Sequence, residues 1–183
     1  VDFICAEIMA ATFDEIGSVT ADGTSTSMEL TGIDQTYDDL QVILEVWVVD
    51  SGSGYTGYLT VNGETGTAVY NSDMMFQEGN GSWTYQEDYN SYSGWRLQKL
   101  PTASSGISSV NGNMIIDMMQ YTATRTKSFL IKLCTFRPVG SYSAIGSGGL
   151  GYNGTSAISS LTLTATSNFG SGSTMTIYGI TNS

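Results

Sequence analysis

Ile158-Ser-Ser-Leu-Thr-Leu-Thr-Ala-Thr166 and, one turn later, Thr174-Met-Thr-Ile-Tyr-Gly-Ile180 decide the fold class. In the first stretch Leu161, Leu163 and Ala165 fall on one side and the threonines on the other, and the second stretch repeats the alternation. Successive strand side chains point to opposite faces, so this period of two marks strands with one buried face. Asn168 to Ser173 supplies the turn chemistry between them.

The same pattern runs outward along the chain. Leu40, Val42, Leu44, Val46 and Val48 share one face of Leu40-Gln-Val-Ile-Leu-Glu-Val-Trp-Val-Val49, with Gln41 and Glu45 opposite. Ile43, Trp47 and Val49 join that second face, which is therefore expected to be covered too, as in a central strand. Tyr58-Leu-Thr-Val-Asn62 alternates and meets Asn62-Gly63, a hairpin signal. Asn113 to Tyr121 has apolar spacing that suits a short helix, but the strand run at 128–136 and the Thr-rich turn before it favour a hairpin. Ser/Gly stretches at 51–54, 79–82, 103–109 and 146–149 are expected to be loops, and the region 72–112 to be loop-rich. About eight to ten short strands spaced in this way predict an all-β fold, a single-domain antiparallel β-sandwich of the jelly-roll kind. Residues 1–12 are assigned to an N-terminal arm and 13–183 to one sandwich domain.

Composition agrees. The chain has 183 residues, enough for one core but not comfortably for two. Its 22 Gly and 11 Tyr against 2 Pro suit turns and strands, and with only 13 % charged residues the polar surface falls to Ser, Thr, Asn, Gln and Tyr. No run approaches the roughly 18 apolar residues of a membrane helix, and the opening stretch lacks a basic leader, so no membrane partner and no signal peptide are expected. The net charge of −11 argues against nucleic acid as a partner, because phosphate binding needs a cationic face. Sixteen of the seventeen acids lie within residues 1–95, while all six bases lie between Arg96 and Arg137. Either strands of the two halves pair and neutralise each other, or the molecule has an acidic and a basic end.

The chain contains no His. That removes Ser-His-Asp and Cys-His catalysis and the usual His-bearing metal sites. Cys5 and Cys134 are too few for a thiolate cluster. Cys134 lies in the apolar run Phe129–Phe136, where a buried free thiol is expected rather than a disulfide. Paired carboxylates remain as the enzymatic option, with Asp38, Asp39, Glu45, Glu87 and Asp88 as candidates. Adjacent acids such as Asp38-Asp39 usually mark a solvated turn, and no activated nucleophile or partnered base is visible. No catalytic residue, metal or cofactor is assigned.

Four segments carry a family resemblance: Met9-Ala-Ala-Thr-Phe-Asp-Glu-Ile16; Ile33-Asp-Gln-Thr-Tyr-Asp-Asp-Leu40; Leu59-Thr-Val-Asn-Gly-Glu-Thr-Gly66 with Tyr70; and Ala157-Ile-Ser-Ser-Leu-Thr-Leu163 followed by Asn168 to Ile180. This order resembles a diverse group of small virion proteins of tailed phages, found as head decoration or cement proteins and as fibre-like modules. The likeness spans about Met9 to Ile180, and the closing Tyr-Gly-Ile is its most specific part. It differs at Val61, where the group usually has phenylalanine, and residues 1–8 form an extension. The resemblance implies a non-enzymatic virion protein whose partners are the major capsid protein or other virion proteins, and no catalytic residues to carry over.

Two groups of residues are then candidates for contact. Val1, Phe3, Ile4 and Ile8 make an apolar arm suited to fastening onto a neighbour. Trp83, Tyr85, Tyr89 and Tyr92 make an aromatic loop that suits either a sugar-stacking site or a subunit interface. A low-charge surface rich in Tyr and Trp also suits closed self-assembly, and a homotrimer is expected.

Overall fold

Leu40, Val42, Leu44 and Val46 are wholly buried along β3 (Asp39–Val46), as the alternation requires. The computed structural model describes residues 12–49, 55–79, 81–103, 112–135 and 143–182. Besides β3 these form β1 (Thr12–Thr20), β2 (Ser27–Thr31), β4 (Val48–Val49), β5 (Tyr55–Val61), β6 (Tyr70–Glu78), β7 (Trp83–Tyr89), β8 (Trp95–Leu100), β9 (Thr102–Ala103), β10 (Gly112–Met119), β11 (Lys127–Thr135), β12 (Ala144–Tyr152), β13 (Ser160–Ala165) and β14 (Thr174–Thr181). A short 3₁₀ turn at Thr67–Val69 is the only helical element among the described residues. The expected arm with Val1, Phe3, Ile4 and Ile8 lies outside them, and Thr12 already belongs to β1.

The fold is an antiparallel β-sandwich of unequal sheets. The large sheet has eight strands in the order β1-β14-β3-β10-β11-β12-β6-β7, and the small sheet has four, β2-β13-β5-β8. Among the described residues one pair is parallel, β4 with β9, and it ties together the two segments that leave β3 and β8. β10 and β11 form the expected hairpin. Most other connections cross from one sheet to the other, which stitches the layers together.

The core lies between the sheets, and Trp95 is its hub. This β8 residue is wholly buried, 5.6 Å and edge-on to Phe129 of β11, 5.6 Å and edge-on to Tyr70 of β6, and 6.2 Å from Tyr152 of β12. Edge-to-face packing of this kind places a positive ring edge on a negative ring face. The indole N–H donates to the carbonyl of Gly151 at 2.8 Å, so the small sheet is hydrogen-bonded to the large one through the core.

Four expectations about burial and loops need correction. Cys134 is exposed, not buried, because alternation along β11 turns Leu130, Lys132 and Cys134 outward while Phe129, Ile131 and Leu133 point in. The second face of β3 is not covered: β3 is central in its sheet, yet Ile43 is half-buried and Glu45 exposed. Gly146 to Gly149 are not a loop but the middle of β12. A Cβ at Gly148 would lie 2.1 Å from the Asp73 carbonyl oxygen, and one at Gly146 would lie 2.6 Å from that of Met75. Only glycine lets β12 approach β6 this closely. Lastly, the described residues of 72–112 are not loop-rich, since they hold most of β6 and all of β7, β8 and β9, while 80 and 104–111 lie outside the described residues.

Asn62-Gly63 is a turn with φ of 53° and 67°, but it makes no hairpin: β5 and β6 lie in different sheets. The Asn62 side chain accepts from the backbone N–H groups of Ser159 (2.8 Å) and Ser160 (3.2 Å) and donates to the Ala157 carbonyl (2.8 Å). The Tyr70 hydroxyl accepts from the Val61 N–H at 2.9 Å and donates to the Glu64 carbonyl at 2.9 Å, and burial pushes its pKa up to about 12. Lys127 is buried with no carboxylate paired to it among the described residues. Its ammonium donates to the carbonyls of Ser156 (2.8 Å), Arg125 (3.0 Å) and Gly154 (3.4 Å), and burial pulls its pKa down.

Two substitutions test this framework by urea unfolding. Trp95→Ala is expected to cost about 3–5 kcal/mol, the range for emptying a large aromatic site. Asn62→Ala is expected to cost about 2 kcal/mol, because it strands three backbone groups and places a Cβ residue without local hydrogen bonding at positive φ.

Candidate functional site

Alternation along β7 sends Thr84, Gln86 and Asp88 inward and Trp83, Tyr85, Glu87 and Tyr89 outward. The expected aromatic loop is therefore mostly an edge strand, paired with β6 and open on its far side. Trp83, Tyr85 and Tyr89 are 62 %, 64 % and 68 % exposed, far above the level of core aromatics. Strand register extends their face across the large sheet. Tyr85 lies opposite Met75, Met75 opposite Ser147, and Ser147 opposite Lys132. Trp83 lies opposite Gln77, and Gln77 opposite Ile145. Met75, Ile145 and Leu130 are all exposed on this face. It is broad and gently polar, with apolar side chains spaced between short ones.

Charges stand on and beside it, Asp73, Glu87 and Lys132 among them, and form no catalytic cluster. The Tyr85 hydroxyl donates to Asp73 at 3.4 Å; partial desolvation, then the charges of Asp73 and Glu87, raise the phenol's pKa. Lys99 pairs with Glu78 at 2.9 Å and Arg96 with Asp88 at 3.5 Å. Both pairs join the acidic and basic stretches of the sequence, whereas Lys132–Asp117 (3.2 Å) lies within the second.

The five candidate carboxylates do not converge. Asp39 accepts from the Gln120 N–H and the Asn182 side chain, and Asp38 accepts from the Asn182 N–H, so both hold the segment after β14 in place. Glu45 is exposed on β3, Glu87 faces outward, and Asp88 is paired with Arg96. Asp22 and Asp34 accept from their own Thr24 and Thr36 N–H groups, which hold their pKa values down as turn residues. No group of three or more metal-ligating side chains occurs among the described residues.

Tyr92 is parted from the other three aromatics. Beyond β7 the chain turns at Asn90 (φ 51°) and passes to the small sheet, where Tyr92 lies 5.6 Å from Tyr58 and 5.0 Å from the Arg96 guanidinium. Tyr58, Thr60, Thr65, Thr164 and Ser91 to Ser93 line a cleft of about 480 Å³ on the outer face of that sheet. No sequence signal foretold it, because its walls come from distant segments of ordinary strand and turn composition.

No protein-family model matches the chain, and no curated protein matches it. Among solved structures, the carbohydrate recognition domain of Emp47p is similar over 92 % of this chain and 88 % of that one, at 12 % identity and a TM-score of 0.30. A likeness that distant assigns nothing to this chain.

Gly94 sets the position of the cleft wall. A Cβ there would meet the Thr60 methyl at 2.9 Å and the Leu59 carbonyl oxygen at 3.0 Å. Gly94→Ala is expected to lift the 90–94 segment off β5 and cost about 1–3 kcal/mol. Amide exchange should then accelerate at 90–94 and on β5, and unchanged protection there would show that the wall does not depend on this contact.

Proposed function

We propose that this chain is a non-enzymatic structural protein of a tailed-phage particle, a head decoration or cement protein that seats the outer face of its large sheet on the shell. The observation that carries the reading is the exposed face of Trp83, Tyr85, Met75, Ile145 and Leu130. Large aromatic and Met side chains are enriched at interfaces, and several of them exposed on one sheet face mark a contact surface. The sequence pattern from Met9 to Ile180 supports the same assignment. Its four segments pack on one another: Phe13 stacks on Tyr178 at 4.6 Å, the Asp38 N–H donates to the Ile180 carbonyl at 3.0 Å, and Asn62 holds the Ala157–Ser160 segment. A Cβ on Gly179 would lie 2.4 Å from the Tyr37 ring, which explains the glycine in the closing Tyr-Gly-Ile. The shared pattern is thus a set of folding contacts, as suits a family defined by architecture and not by chemistry.

In this reading the partners are the major capsid protein or other virion proteins, the assembly is a homotrimer, and the protein resides in the virion. A fibre module that binds host-surface glycans is the second reading, favoured by the hydroxyl-lined Tyr58–Tyr92 cleft.

Immunogold labelling of intact particles should decorate the head. Tyr85→Glu combined with Ile145→Glu changes two exposed positions and should leave stability within roughly 1 kcal/mol. Head occupancy should nevertheless fall about tenfold or more, equal to a loss of about 1.4 kcal/mol per site. Label confined to the tail, or undiminished occupancy by the double variant, would overturn this assignment. Light scattering should show a trimer; a monomer at micromolar concentration contradicts that part of it.

A further inference from the structure

We propose that the cleft lined by Tyr58 and Tyr92 is a binding site for a neutral glycan. The cleft lies on the outer face of the small sheet, away from the large-sheet face assigned to the shell. Its volume of about 480 Å³ falls within the range of small-ligand sites, roughly 300–1,000 Å³.

The lining has the chemistry of a sugar's two aspects. One face of a pyranose is a patch of C–H groups, and its rim is a ring of hydroxyls. The Tyr58 and Tyr92 rings stand 5.6 Å apart with their planes inclined at 42°, so they form an angled aromatic wall and not a closed stack. Such rings combine a flat apolar body with a polar tip. Tyr92 is held by the Arg96 guanidinium 5.0 Å from its ring centre, and Arg96 is anchored in turn by Asp88.

The hydroxyls around the rings are oriented. Thr60 donates to the Thr162 carbonyl at 3.3 Å, Thr164 to the Tyr58 carbonyl at 3.4 Å, and Ser91 to the Tyr89 carbonyl at 2.9 Å. A hydroxyl that has committed its proton presents its two lone pairs as acceptors only. Three such oxygens suit a ligand that brings many O–H donors. None of the lining residues is charged, and the protein carries a net charge of −11. An anionic ligand meets no cation in the lining, and a cationic one meets no carboxylate. A neutral polyol needs neither.

The site is also preset. Register places Thr164 beside Tyr58 and Thr162 beside Thr60 on the two central strands of the small sheet, and Gly94 holds the 91–93 wall against β5. A ligand therefore meets a surface whose ordering cost has already been met by folding.

The test is an amide NMR titration of the purified protein with cellotriose, maltotriose, triacetylchitotriose and a galactose trisaccharide, each to about 10 mM, a range that detects millimolar affinity. At least one trisaccharide should shift the amides of 58–60, 91–94 and 164 saturably. Tyr92→Ala and the near-isosteric Thr164→Val should each weaken that binding, the former about tenfold or more, with the remaining spectrum unchanged. Trp83→Ala, on the other face, should leave it unaltered. Absence of saturable shifts with all four sugars overturns the proposal. So do shifts that persist in both cleft variants, or stronger binding of a sulfated oligosaccharide at the same amides. The assay uses no particle, so either result leaves the assignment to the head to be judged by its own experiment.

Discussion

The fold depends on Trp95. Its indole fills the space between the sheets, meets Phe129, Tyr70 and Tyr152 from three strands of the large sheet, and uses its one N–H on the Gly151 carbonyl. A buried indole N–H without a partner would be costly, so the hydrogen bond fixes the depth and rotation of the ring as well as its location. β8 is an edge strand of the small sheet, and this residue pins it over β6, β11 and β12. The hairpin of β6 and β7 extends past that point, which leaves β7 at the far edge of the large sheet with its aromatics in solvent.

A second constraint is that the connections crossing between sheets need their polar backbone satisfied. Asn62, Lys127 and Asp39 do this with side-chain hydrogen bonds to backbone groups from distant segments, and Tyr70 with bonds to Val61 and Glu64 of the turn before it. Buried backbone groups must be paired, and where the ladder ends a side chain has to take over. Lys127 shows the cost of this solution: its charge is buried among carbonyls and against the Tyr152 ring, and the desolvation is only partly offset. These residues consequently belong to the architecture and not to a chemical site.

With the interior and the crossings assigned to folding, the two outer faces are left for contact, and they differ in character. The large sheet presents a wide face with Trp, Tyr, Met, Ile and Leu spaced along strand rows, suited to another protein surface. The small sheet presents a concave, uncharged, hydroxyl-rich cleft with two tyrosines. One sandwich can carry both because the sheets share a core and have independent outer surfaces, so a change on one face need not reach the other.

Strands β3, β11, β13 and β14 were legible from the sequence because each alternates and buries one side, whereas β10, whose own spacing also suits a helix, was read from its hairpin with β11. The outward position of Cys134 was present in that same alternation but masked by the overall apolarity of its run. Gly146 to Gly149 were not legible as strand, since Gly and Ser signal a turn locally and only the close approach of β6 requires them in a sheet. The same holds for Asn62-Gly63: the sequence specifies a turn, while the sheet that the next strand joins depends on contacts with residues 157–160. Trp83, Tyr85 and Tyr89 were identifiable as a cluster, but the sheet change at 90–94 that separates Tyr92 from them was not. Period and turn chemistry are local properties, so the sequence by itself determined the all-β class, the clearly alternating strands and which side of each of those is apolar. Which strands are neighbours, which face stays in solvent and where a cleft opens are set by packing between distant segments, and only the tertiary structure decided them.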